Sequence, residues 1–375
     1  MNTMPPRPRP TLRGLADSLK SRLTPRETPP IGADFAAHAL NLVQALPQSG
    51  GWHLQAAASV PYPMPRAELL AAPAGLARFV AGALASAPFQ GRRVVSALPP
   101  GDVRILPLSV QLAQGQSEAQ AVAKAAAEQL GSQAANAVID YYQVRGADGD
   151  SGARQVLLAA AQESRVLAYL AMLEAARLEP VALDIGPAAI ARLLAAMHGS
   201  EIGQSVLLLN FGSAKSFVTV IWGRRLMLDR EIDFGEEQLA QVLAAALDLA
   251  PATATSLLRE HGLGSRGGDG QHAALRRAIH DVLHPACLAL ADELAHTQVY
   301  VASRTRGSMI SRVYLNGSLA RYPDIQARIG ELIEVPVHLL DPFAAFGGTL
   351  PPDAAGIGRS IALAAGLALR SDANG

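Results

Sequence analysis

The chain holds 375 residues, half of them apolar and 17% charged, with 32 basic side chains balanced by 32 acidic ones. At roughly 100–200 residues per domain this predicts two or three domains with a sizeable core, and the zero net charge gives no global electrostatic footprint for nucleic acid. A single cysteine, Cys287, excludes an intrachain disulfide and leaves a cysteine zinc site without its ligands.

Residues 1–30 are expected to form a mobile, proline-rich basic arm. Its first ten residues hold four prolines and two arginines but no apolar run, so they do not read as a secretory leader. Within the arm, Leu12, Leu15, Ala16, Leu19 and Leu23 recur at helical spacing with Arg13, Lys20 and Arg22 among them. This predicts a short basic amphipathic helix, which packs on the protein's own surface or meets an anionic membrane or a partner. No apolar run reaches the roughly 18–20 residues of a membrane span, and a cytoplasmic location is expected.

The folded part is predicted to begin at Ile31. Ala39 to Val43 and Trp52 to Ala56 read as strands around the turn cluster Pro47 to Gly51, a hairpin. Leu69 to Ala87 reads as one Ala/Leu-rich helix, and Arg93 to Leu98 as a strand ended by Pro99 and Pro100. A small inserted α+β subdomain follows: strand Val103 to Leu108, helix Ser117 to Leu130 with Ser117 as its cap, strand Ile139 to Val144, a polar turn Gly146 to Gly152, strand Gln155 to Ala161 and helix Glu163 to Ala176. Val206 to Asn210, Phe217 to Trp222 and Arg225 to Ile232 form three successive strands. Helices follow at Glu236 to Leu247 and Thr253 to His261, then a glycine-rich loop over Gly262 to Gln271 and a long helical stretch from Ala273 to Ser303. Val313 to Leu315 is a buried strand leading through Asn316-Gly317-Ser318 into a helix. Val337 to Leu340 is a strand, and Ile357 to Leu369 a closing helix. A strand meander with a small-residue turn, then helices, thus occurs twice.

Catalytic motifs are sparse. The stretch from Gly203 to Lys215 lacks the spacing of a phosphate-binding P-loop, and no G-x-S-x-G is present. Gly262 to Gly267 spells G-x-G-x-x-G, but it follows a helix where a dinucleotide fingerprint follows a strand. The nine histidines are read as carrying no metal-binding spacing, and His38 as a surface or packed residue. A small-molecule kinase would need a carboxylate aimed at a substrate hydroxyl, and no candidate stands out.

Several stretches in order resemble the PilM family, the actin-like cytoplasmic proteins of type IV pilus assembly. Ile31 to Phe35 is similar to the family's G-I-D-I-[GS] opening, and Trp52 to Pro61 to its second strand and proline turn. Val95 to Pro99, Asp140-Tyr141, Val156 to Ala160 and Leu173 to Pro180 resemble the strand before its insert and the insert itself. Leu209 to Gly212 sits where the family has V-D-I-G, Arg230 to Gly235 at R-x-[IL]-x-x-G, and Leu315 to Ser318 at L-x-G-G. Asp341-Pro342-Phe343 and Ala365 to Arg370 match D-P-F and A-x-G-L-A-L-R. The related MshI proteins resemble the chain in the same way.

The resemblance implies an α/β, actin-like ATPase (ribonuclease H-like) fold of two lobes with an inserted α+β subdomain. The implied domains are the arm 1–30, a first lobe 31–102, the insert 103–185, a second lobe 186–350 with a helical subdomain at about 236–310, and a C-terminal helix 351–375 returning to the first lobe. It implies a cleft for ATP and Mg²⁺ and a groove for the cytoplasmic N-terminal tail of a PilN-like inner-membrane protein, which would hold this chain at the inner membrane. Other pilus assembly proteins and a second copy of the chain are further candidate partners. The groove is expected around Val95–Leu98, Val103–Leu108 and Val156–Ala160, strands that the bland reading places in the core.

Carried over residue by residue, the implied nucleotide-binding positions are Asp34, Asn210, Gly212, Ser213, Gly235, Gly317 and Ser318. The pattern is eroded. Ala36, Ala37 and His38 replace small polar residues after Asp34, Asn41 replaces a lysine, and Asn210 replaces the second loop's carboxylate. Gly235 is followed by Glu236 instead of a second glycine, and Ala240 replaces a threonine. Ala254 to Leu258 lacks both charges of an A-E-x-x-K-like helix. A charge-assisted hydrogen bond contributes roughly 1.5–3 kcal/mol, so two or three losses weaken nucleotide affinity by several decades if they add. The bland reading makes Asp34 an acceptor in a turn and the glycines turn residues. A degenerate cleft without catalytic residues is therefore expected, with retention of an ATP-binding switch or slow ATPase as the alternative.

Overall fold

A computed structural model describes residues 28–144, 153–198, 204–223, 225–267, 272–305, 307–347 and 354–370. The amphipathic segment Leu12 to Leu23 and the turn Gly146 to Gly152 lie outside the described residues.

Strands β1 (Ile31–Phe35), β2 (Ala39–Gln48) and β3 (Gly51–Pro61) form an antiparallel meander. Helices α1 (Arg66–Leu70) and α2 (Pro73–Ala85) follow. The sequence predicts one helix here, but Pro73 has no backbone N–H to continue α1. Its fixed φ suits a first helical position, so the chain breaks and restarts. Strand β4 (Arg93–Ala97) then pairs parallel with β1.

The chain leaves this sheet into β5 (Val103–Gln111), α3 (Glu118–Leu130), β6 (Ala137–Gln143) and β7 (Ala153–Gln162), a three-stranded sheet of order β5-β7-β6. Ser117 caps α3 with a reciprocal capping box: its hydroxyl accepts from the Gln120 N–H while its own N–H donates to the Gln120 side chain. Departure and return lie side by side, since Val103 pairs with Ala161 and Arg165 Nε stands 3.7 Å from the Asp102 carboxylate.

Helix α4 (Glu163–Ala175) and strand β8 (Glu179–Asp184) belong to the first lobe, which corrects the expected insert boundary at 185. β8 pairs parallel with β4, and Leu173, Ala176 and Leu178 pack with Leu76 and Val80 of α2 onto Ile31, Ala33, Leu40 and Leu42.

Helix α5 (Gly186–His198) leads into the second lobe, where β9 (Ser205–Phe211), β10 (Ser216–Trp222) and β11 (Arg225–Ile232) repeat the meander. Helices α6 (Glu236–Leu247), α7 (Pro251–His261) and α8 (Ala273–Arg304) cover its outer face. Strand β12 (Ile310–Gly317), helix α9 (Ile325–Gly330) and strand β13 (Val337–Leu339) extend the sheet. Strand β14 (Phe346–Gly347) returns to pair with β3. Helices α10 (Ala354–Ile357) and α11 (Ala362–Ala368) end the described chain, so the predicted closing helix is broken. The sheet orders are β14-β3-β2-β1-β4-β8 and β11-β10-β9-β12-β13. Apart from β14, the two follow one plan.

Helices α5 and α11 lie between the sheets. Ile190, Leu193, Leu194, Ile361, Ala364 and Ala365 share a core with Val43 and Ala45 of one sheet and Val206, Leu208 and Ile221 of the other. Alternate residues of β9 point outward, with Leu207, Leu209 and Phe211 in the core under α6 and α8. A strand covered on both faces reads as an unbroken apolar run, which is what Val206 to Leu209 is.

The contact between α5 and α11 is backbone on backbone. A Cβ on Gly366 would stand 2.1 Å from the Ala189 carbonyl oxygen, and one on Gly32 would stand 2.0 Å from the Ala364 oxygen. Gly366→Ala is expected to destabilise the protein by about 1–3 kcal/mol through overpacking, despite a helix-propensity gain of about 1 kcal/mol. A lower urea midpoint at unchanged slope checks it; an equal or higher midpoint would mean that the helices separate at no cost.

Candidate functional site

The implied nucleotide residues fall into two separate groups. On the first sheet, Asp34, Asn41 and Ser59 form a polar row across β1, β2 and β3. The Asn41 amide donates to Asp34 Oδ2 at 3.0 Å, and the Ser59 hydroxyl donates to Asn41 Oδ1 at 2.8 Å. Burial pushes the Asp34 carboxyl up to about 6, against the Asn41 bond and the nearby Arg66 charge. The β1–β2 loop is held from behind. Tyr62 donates from its hydroxyl to the Ala36 carbonyl at 3.1 Å and from its N–H to the His38 carbonyl at 3.2 Å, and Arg66 Nε donates to the Phe35 carbonyl at 3.2 Å. His38 is exposed.

On the second sheet, the structure gathers Asn210, Gly212, Ser213, Gly235, Gly317 and Ser318. Asn210 and Asn316 are neighbours in register, and the Asn316 amide donates to Asn210 Oδ1 at 3.1 Å. Gly317 has φ +92°, and a Cβ there would lie 2.0 Å from the Phe211 oxygen. This left-handed backbone lets the Ser318 N–H reach that same oxygen at 2.9 Å. A Cβ on Gly235 would lie 2.5 Å from the Ser213 and Ala214 carbonyl oxygens. The loop after β9 is therefore pressed onto the start of α6. No described hydrogen bond joins Asp34 to this second group.

Three of the donors beside this loop are already engaged. A helix N-terminus attracts anions through free N–H groups and its dipole. At α6 the Glu236 N–H donates to the Gly212 carbonyl at 3.4 Å and the Glu237 N–H to the Ser213 carbonyl at 2.9 Å. The Ser213 hydroxyl donates to Glu237 Oε1 at 2.6 Å. The Glu236 carboxylate accepts from the Tyr322 hydroxyl and stands 3.5 Å from Arg259 Nε. Burial and the Glu236 contact push the Tyr322 hydroxyl's pKa upward. The negative charge expected of Glu236 along the phosphate path is thus neutralised within the protein. Arg259, one turn beyond Thr255 on α7, is the basic side chain of this helix that meets Glu236. Asp34 is the acidic residue left at a metal-facing position of the implied set, because Asn210 carries no charge. This donor set fits a magnesium–triphosphate group poorly.

His280 and His284 correct the histidine reading. They stand one helical turn apart on α8, with stacked rings 5.2 Å between centroids. No group of three or more metal-ligating side chains occurs among the described residues.

A sizeable cavity lies elsewhere. It holds about 1170 Å³ between the inserted sheet, β8, α5 and the β10–β11 turn. Its sheet wall carries Val103 and Ile105 of β5, Leu157, Ala159 and Ala161 of β7, and Val138, Asp140 and Tyr142 of β6. Its opposite wall carries Leu183 and Asp184 of β8, Ile185, Ala188, Arg192 and Ala195, with Leu98, Arg225, Leu226 and Arg370 around them. The expected groove strands divide by pleat. Leu106, Leu108 and Val156 turn to the core under α3, whereas their alternate neighbours line the cavity. Val138 and Tyr142 are 46% and 41% exposed, unusual for large apolar side chains.

The profile of the family described as type IV pilus assembly protein PilM matches residues 32–372. A solved PilM–PilN type IV pilus biogenesis complex resembles the chain at 24% identity, covering 92% of this chain and 99% of that one, with a TM-score of 0.70. Lower likeness extends to the ethanolamine utilization protein EutJ from Carboxydothermus hydrogenoformans, at 16% identity, 91% and 89% coverage and TM-score 0.47. It extends also to Ta0583, an archaeal actin homolog, at 11% identity, 91% and 98% coverage and TM-score 0.43. No curated protein matches. The fold is the expected actin-like one.

Asp34 and Asp229 share one electrostatic signature. Burial pushes each carboxyl to about 6, and the Asn41 and Thr219 bonds only partly oppose it. The folded state therefore binds more protons than the unfolded chain between about pH 4 and 6. Stability contributed by these groups is full below that window and is lost as pH rises through it. The urea midpoint of Asp34→Asn, measured from pH 4.5 to 7.5, is expected to fall less with rising pH than that of the wild type. Parallel curves would show that Asp34 ionises freely.

Proposed function

This chain belongs to the PilM family of type IV pilus assembly proteins, and we propose that it is a peripheral scaffold of that machinery, binding the cytoplasmic N-terminal tail of a PilN-like inner-membrane protein. The observation that carries this reading is the large cavity beside the inserted sheet. It combines apolar side chains of the inserted sheet with charged ones of the opposite wall, and is backed by a sheet and a buried helix, which suits an extended peptide. The solved relative is itself a complex of PilM with PilN. Among the described residues no single helix is long and apolar enough to cross a membrane, and in this reading the partner supplies the anchor.

We read the nucleotide cleft as degenerate. The filled N–H groups at α6, the neutral Asn210 and the Glu236–Tyr322–Arg259 cluster support this. Retained Asp34 and the crowded glycines support the second reading, an ATP-binding switch. The scaffold reading needs only that the two-lobed frame hold the groove in shape.

Calorimetry on the full chain separates the two. The tail peptide of the PilN-like protein is expected to bind, Val138→Arg at an exposed wall position to weaken it by about tenfold or more, equal to about 1.4 kcal/mol, and Mg·ATP to give no saturable heat. Tight Mg·ATP binding that is lost in Asp34→Ala would overturn the degenerate cleft and favour the switch.

A further inference from the structure

The cavity wall opposite the inserted sheet carries a charge arrangement that an apolar groove does not need. Arg192 of α5 and Arg370, two residues beyond α11, both donate to the same oxygen, Oδ2 of Asp184, the latter from Nη1 at 3.1 Å. Asp184 Oδ1 accepts from the Ile185 N–H at 2.8 Å, so this carboxylate is fully engaged, and its side chain is only 6% exposed. One negative charge thus faces two guanidiniums. Arg192 is fixed further by its Nε–H, which donates to the Gly366 carbonyl at 3.3 Å. Yet 27% of the Arg192 side chain and 29% of the Arg370 side chain remain open, and both line the cavity. Arg225 of β11 lines the same cavity, is exposed, and has no ion-pair or hydrogen-bond partner among the described residues. The remaining acidic lining residue, Asp140, stands on the sheet wall and accepts its neighbour Tyr141's N–H at 2.8 Å. The cavity is therefore positive on the α5 side and apolar on the sheet side.

Resting on the groove reading above, we propose that Arg192 and Arg370 form a carboxylate-reading subsite of the groove. The bound tail lays apolar side chains on Val138, Tyr142 and Ala159 of the inserted sheet and directs one Asp or Glu side chain at the guanidiniums beside Asp184. Arginine suits this role, because its planar fork can serve Asp184 and a second carboxylate from different N–H groups. The surplus charge also orients the peptide, since an acidic side chain turned the other way would meet Asp140.

Binding of the full chain to the synthetic N-terminal tail of the PilN-like protein tests the subsite. Arg370→Gln is expected to weaken binding roughly tenfold and to flatten its salt dependence. Changing the tail's acidic residue to its amide is expected to have the same effect, and the two changes together little more than either alone. Asp184→Asn removes the competing carboxylate and is expected to tighten binding, an outcome that a purely structural role would not give. A seated tail segment without Asp or Glu would overturn the subsite. So would unchanged affinity and salt dependence in Arg370→Gln while Val138→Arg abolishes binding, and that result would leave the groove reading intact. If the wild type does not bind the tail at all, the groove reading fails and the subsite with it.

Discussion

The two sheets are held apart by a pair of helices that touch backbone to backbone. Gly366 of α11 lies against the Ala189 carbonyl of α5, and Gly32 of β1 against the backbone of α11. That closeness sets the spacing of the lobes. It requires each sheet to be apolar on both faces, since an outer helical layer covers the other side. The small residues along Ala188 to Ala191 and Ala362 to Ala368 follow from the same demand. The implied nucleotide residues sit at the ends of strands in these two sheets, and α5 itself forms one wall of the groove.

Much of this frame was legible in the sequence. Strands buried on two faces wrote themselves as Val/Leu runs, and the meander of each lobe ended at a recognisable turn. What escaped has physical reasons. Strand β8 is short, lies at a sheet edge and carries Pro180 near its start, a residue edge strands tolerate but which weakens a strand pattern. Helix α5 is buried nearly all round between the two sheets, a setting that only the assembled fold supplies. The break at Pro73 needed a reading of proline as a beginning. The insert's limit was drawn too late, because nothing in α4 announces which sheet its apolar face will meet.

The implied nucleotide positions show how neighbouring side chains and loops meet one another. Sequence comparison identifies lost charges one position at a time, and treats each as a gap. In the folded chain the gaps are closed. Loop carbonyls take the N–H groups at the start of α6, and a tyrosine and an arginine from distant segments meet Glu236. Neither Tyr322 nor Arg259 carries a local signal, because the pairing is made by the tertiary approach of α6, α7 and the segment after β12. Groups left unpaired in a partly buried cleft are costly, and these contacts satisfy several of them within the chain.

The inserted sheet leaves the first lobe at Asp102 and returns at Glu163, with the two crossing points side by side. Such a junction makes the insert a removable cassette in evolutionary terms. It has its own small core under α3, so substitutions there need not propagate into the sheet that carries it. Substitutions at its exposed wall positions Val138 and Tyr142 leave the frame's core untouched, whereas Ile105 and Leu157 are shared with it. Insertion points of this kind, where both chain ends meet, are where folds tolerate new modules. Selection on the frame and selection on recognition are thereby uncoupled within one polypeptide.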